Sequence, residues 1–91
     1  MAQKRIHLFV SGRVQGVFYR THIKKLAERM DVKGFVRNLS DGRVEIVGEA
    51  EDSIIDKFIV YCQDGPILAR IDEVDIRTEN PTNKFENFKV S

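Results

Sequence analysis

Aliphatic residues recur at every second position from Ile6 to Val10, with Ile6, Leu8 and Val10 on one side and His7, Phe9 and Ser11 on the other. A period of two predicts a strand with one face in a core and the other near solvent. The period then changes. Ile23, Leu26, Ala27 and Met30 recur at i, i+3, i+4 and i+7, with Lys24, Lys25, Glu28 and Arg29 opposite them, which predicts an amphipathic helix of about three turns. Gly34 is the expected left-handed terminator of that helix, and Phe35 to Leu39 reads as a second strand. Ser40, Asp41 and Gly42 form a turn before Val44, Ile46 and Gly48 resume the alternation, so strands two and three are expected to be a hairpin.

Ser53 is the expected cap of a second helix, whose apolar side holds Ile54, Ile55, Phe58, Ile59 and Cys62, and Gln63 to Pro66 stop it. Ile71, Val74 and Ile76 lie in another extended segment, Pro81 in a polar connection, and Phe85, Phe88 and Val90 suggest a final edge strand. The order strand, helix, strand, strand, helix, strand predicts an α+β, ferredoxin-like βαββαβ sandwich, an antiparallel sheet with two helices on one face. One domain over residues 1–91 is expected, since no linker-like stretch divides the chain.

Composition narrows the function classes. With 15 Lys and Arg against 14 Asp and Glu, the net charge of +1 is too balanced for a protein living on phosphate-backbone contacts, so nucleic acid is not an expected partner. The lone Cys62 excludes an internal disulfide and reads as a small apolar helix residue; with no apolar run of membrane-spanning length, a cytoplasmic monomer is expected.

The chemistry concentrates between Gly12 and Arg20, in the sequence GRVQGVFYR. A loop running from a strand into a helix aims unpaired N–H groups at one point, and the helix dipole reinforces their pull on anions. Gly12 and Gly16 permit positive φ, while Val14, Val17 and Phe18 are expected to anchor the loop by packing. Arg20, His22, Lys24 and Lys25 crowd the helix start without an acidic residue, against the dipole rule. Lys24 and Lys25 lie on the outer, solvated face. Arg20 beside converging N–H groups instead makes a bidentate seat for phosphate or carboxylate. His7 reads as an exposed strand residue, and His22 has no assigned role. Asn38 sits late in strand two, where its amide either projects toward a neighbouring loop or bonds its own turn. His7, His22 and Cys62 fall on separate elements, so neither a metal nor another cofactor is expected.

Two segments resemble the signatures of the acylphosphatase family. Val10 to Arg20 is similar to its V-x-G-x-V-Q-G-V-x-F/Y-R pattern, and Gly34, Phe35, Val36, Arg37 and Asn38, followed by Gly42 and Val44, resemble its second signature. Near Ala50 the sequence departs from a glycine that many members carry. The resemblance spans essentially the whole chain. It implies hydrolysis of small acyl phosphates without a metal, with Arg20 binding the phosphoryl group, Asn38 orienting the attacking water, and the amides of Gln15, Gly16, Val17, Phe18 and Tyr19 forming the cradle. Two rivals share the element order: an RNA-recognition motif, faintly echoed at Lys33 to Val36 but on the wrong strand, and a non-catalytic anion sensor, which would need Arg20 but not Asn38.

Overall fold

The computed structural model describes residues 2–91. Its elements follow the order β1 (Gln3–Arg13), α1 (Tyr19–Met30), β2 (Lys33–Asn38), β3 (Val44–Glu51), α2 (Asp52–Asp64), β4 (Arg70–Glu79) and β5 (Phe88–Val90). The sheet has the strand order β4-β1-β3-β2-β5. Four strands pair antiparallel, as the ferredoxin-like plan requires; β5 adds to β2 in parallel, with Gly34 opposite Phe88 and Val36 opposite Val90, so the sheet is mixed.

Alternation sets the two faces. Ile6, Leu8 and Val10 of β1, Val44 and Ile46 of β3 and Val36 of β2 are fully buried in one cluster with Ile23 and Ala27 of α1 and Ile55, Phe58 and Cys62 of α2. Cys62 is thus a core residue, and burial pushes its thiol pKa up. The opposite face carries polar groups that satisfy one another. Glu49 accepts from the Arg5 guanidinium, the Thr82 and Asn83 amides and the Thr82 hydroxyl. Glu45 bonds Arg37 and His7, whose Nε2 lies 2.6 Å from Glu45 Oε2 while its ring stacks on Phe9. His7 is therefore half-buried and paired, not an exposed strand residue.

Two predicted termini differ. α1 ends at Asp31, itself left-handed at φ 56°, and Gly34 already lies inside β2. What requires glycine there is a close approach: a Cβ on Gly34 would stand 1.9 Å from the Val47 carbonyl oxygen. Ser53 does not cap α2, because β3 runs straight into the helix and Glu51 occupies the cap position, leaving Ser53 in the first turn with its hydroxyl on the Glu51 carboxylate. No helix among the described residues is long and apolar enough to cross a membrane.

Candidate functional site

The segment from Val14 to Phe18 leaves the sheet at the end where β1 meets the start of β4. Gly12 takes φ 129° beside a register shift in the β1–β4 ladder, and a Cβ there would stand 2.1 Å from the Arg70 carbonyl oxygen. Gly16 turns the chain at φ 73° with open space around it. Val14 and Val17 plug the loop into the core, as their apolar character predicts. Phe18 does not: it is 75 % exposed, because it takes φ 63° and ψ 21°, and that left-handed turn accompanies a ring facing outward. For a bulky residue such a conformation costs on the order of 1–2 kcal/mol.

Phe18 occupies the N-cap position of α1 without any side-chain hydrogen bond, and no acidic residue lies in the first turn. The amides of Gln15 to Phe18 have no acceptor among the described residues. Together with the first amides of α1 they form a run of N–H donors at the positive end of the helix dipole. Val14, Gly16, Phe18, Tyr19, Arg20 and Thr21 line a shallow depression of about 240 Å³ at this point. Tyr19 lines it while almost wholly buried. Its ring is buried, its hydroxyl donates to the Cys62 carbonyl oxygen at 2.8 Å, and burial pushes its pKa well up.

Gln15 fixes the loop to the hairpin. Its Nε2 donates to the carbonyl oxygens of Leu39 at 2.8 Å and Arg43 at 2.9 Å, on the two sides of the β2–β3 turn. Arg20 is fixed from the other side. Its Nη1 donates to the main-chain oxygen of Ser91 at 2.7 Å, and the Ser91 N–H donates to the Val36 carbonyl oxygen at 2.9 Å. One of five guanidinium N–H groups is thus committed to orientation, which leaves a free fork.

Asn38 lies between the two attachments, two residues after Val36 and one before Leu39. It ends β2 opposite Val44 and, by alternation, shares with Val36 the face on which the helices pack. Its Oδ1 is the one buried side-chain polar atom among the described residues without a hydrogen-bond partner. A buried amide oxygen in that condition costs about 1–3 kcal/mol unless a bound molecule donates to it.

The remaining candidates sit elsewhere. His22 lines a separate cleft with Leu26, Arg29, Tyr61 and Asp64, and burial, then the Arg29 charge, lowers its pKa. No group of three or more His, Cys, Asp or Glu side chains among the described residues is arranged to hold a metal ion. Sequence reasoning missed Thr21 in the depression and Ser91 behind Arg20. Thr21 was readable as the next residue of the helix start, whereas nothing local in the chain ties residue 91 to residue 20.

Known proteins resemble this chain in sequence and fold along nearly its whole length. The chain is 46% identical over 90 residues to an acylphosphatase of Roseiflexus sp. (strain RS-1), covering 99% of this chain and 97% of that one. Among solved structures, an acylphosphatase from Bacillus subtilis superposes with a TM-score of 0.93 at 25% identity, covering 97% of this chain and 98% of the other. An acylphosphatase from Coxiella burnetii gives 0.91 at 35% identity, covering 98% and 93%. The acylphosphatase family model matches residues 6–90, both signature segments included, and the chain belongs to the acylphosphatase family.

Proposed function

We propose that the acyl phosphate hydrolysis of the family is carried out in this chain by Arg20, Asn38 and the main-chain amides of Gln15, Gly16, Val17, Phe18 and Tyr19, within a single domain. The observation that carries the proposal is the buried, unpartnered Asn38 Oδ1, held between the Gln15 clamp on Leu39 and the Arg20–Ser91–Val36 hydrogen-bond chain. An acceptor in that position takes a proton donor from a bound molecule, and water beside a phosphoryl group is such a donor.

The loop amides and the free fork of Arg20 hold the phosphoryl oxygens and stabilise the charge that builds on them in the transition state. Asn38 accepts one O–H of a water and turns its lone pair toward phosphorus. The new bond forms between water oxygen and phosphorus while the bond from phosphorus to the acyl oxygen breaks, and the electron pair leaves with the carboxylate. A carboxylate with a pKa near 4 departs without a general acid. The water proton passes to a phosphoryl oxygen, since no side-chain base lines the depression. Positioning and fixed charge thus supply the rate enhancement. Every group in this scheme comes from one chain, so a monomer suffices.

The test is hydrolysis of benzoyl phosphate in the presence of chelator, followed by its fall in absorbance. Arg20→Gln should abolish activity with the circular dichroism spectrum retained. Asn38→Ala should lower kcat by about 10²-fold or more, the scale of one lost transition-state hydrogen bond in a preorganised site, with little change in KM. A wild-type rate equal to the spontaneous one refutes the proposal, and an Asn38→Ala effect confined to KM refutes the water-orienting role.

A further inference from the structure

Nothing in the phosphoryl chemistry above uses the side chain of Phe18. Its main chain belongs to the proposed cradle, yet its ring stands in solvent at the N-cap of α1, on the wall of the depression that also holds Arg20, Gly16 and Thr21. Two features make this placement unlike an incidental surface aromatic. The residue keeps a left-handed conformation, φ 63°, that Gly or Asn would adopt with less strain. The other two apolar side chains of the lining, Val14 and Tyr19, are buried to within 1% and offer a ligand no surface. Phe18 is thus the one large apolar surface available in the depression among the described residues.

A phosphoryl group seated on the amides must direct its acyl substituent outward, because the core closes the inner side through Val14, Val17 and Tyr19. We infer that Phe18 is the residue that reads the acyl group, its ring forming an apolar wall that favours acyl phosphates with an aromatic or bulky apolar acyl part over acetyl phosphate. The inference rests on the cradle reading given above. Aromatic contact on one exposed ring face supports a preference of roughly three- to tenfold.

The experiment compares kcat/KM for benzoyl phosphate and acetyl phosphate in the wild type, Phe18→Asn and Phe18→Leu. Asn suits the left-handed backbone and removes the ring, while Leu keeps apolar surface without aromaticity. Acetyl phosphate, followed by phosphate release, registers any damage transmitted through the cradle backbone, so the benzoyl-to-acetyl ratio isolates the ring. The ratio should fall three- to tenfold in Phe18→Asn and less in Phe18→Leu. Ile67→Ser, in a loop residue that is 99% exposed and does not line the depression, should leave the ratio at the wild-type value. An unchanged ratio in Phe18→Asn overturns the inference while the cradle reading stands; a wild type inactive on both substrates overturns both.

Discussion

Gln15 is where loop geometry and stability are most directly joined, and Gln15→Ala tests the connection. The side chain gives both Nε2 hydrogens, at 2.8 and 2.9 Å, to the Leu39 and Arg43 carbonyls. Neither carbonyl would be orphaned by its loss. The Leu39 oxygen also accepts from the Gly42 N–H, and the Arg43 oxygen from the Leu39 N–H. The cost is therefore that of two net hydrogen bonds, about 1–2 kcal/mol, and not the larger penalty of two unsatisfied buried acceptors. With an m-value of about 1 kcal/mol/M for a chain of this size, the urea midpoint should fall by about 1–2 M. Equilibrium unfolding followed by far-ultraviolet circular dichroism reads this directly. Gln15→Glu is the sharper variant, because it sets a carboxylate against two carbonyl oxygens and should fall below Gln15→Ala. Both should lose kcat/KM, since the amides they release form the proposed cradle. A midpoint for Gln15→Ala within 0.3 M of wild type, about a third of the smallest expected shift, or a Gln15→Glu more stable than Gln15→Ala, would refute the clamp.

Three further outcomes are expected. Gly12→Ala meets both the forbidden φ and the Arg70 carbonyl, and should cost on the order of 2–4 kcal/mol by chemical denaturation, whereas Gly16→Ala, with nothing near its Cβ, should cost about 1 kcal/mol; equal losses would contradict the close-approach argument. Tyr19→Phe removes the donor to the Cys62 carbonyl near the end of α2 and should lower stability by about 1–2 kcal/mol, seen as a drop in Tm. Burial pushes the Glu49 pKa up, but its hydrogen bonds from Thr82, Asn83 and Arg5 outweigh that and hold it below the ordinary 4.5. The unfolded chain then takes up this proton first on acidification, so stability present above pH 4.5 is lost as pH falls through the folded value. Glu49→Gln should lower Tm at pH 7 and flatten its decline as pH falls below 4.5; an unaltered slope would rule Glu49 out as a source of acid sensitivity.

The helices, the hairpin and the loop were legible because each is set by short-range pattern. Arg20 stood out by breaking the dipole rule, and the two glycines by the turn they permit. What escaped is long-range or conformational. The parallel pairing of β5 with β2 depends on a three-residue strand 50 residues away, and Gly34 reads as a helix stop until the Val47 carbonyl is seen against it. An aromatic beside two valines reads as packing, yet the backbone at Phe18 is left-handed and the ring is out. For Asn38, local propensity left a turn residue and a site residue equally open. Its position between Val36 and Leu39, and its unpartnered oxygen, belong to the fold and not to any window of sequence.

α1 begins without a cap of its own. An oxygen-bearing side chain at position 18 on the extended backbone usual for an N-cap, and not on the left-handed backbone found there, would satisfy those first N–H groups from within the chain and make a sturdier helix. In the proposed mechanism it would also compete with the phosphoryl oxygens for the same donors. The proposed cradle thus draws on the same N–H groups that a cap would use, so a better-capped helix would make a poorer seat for phosphate.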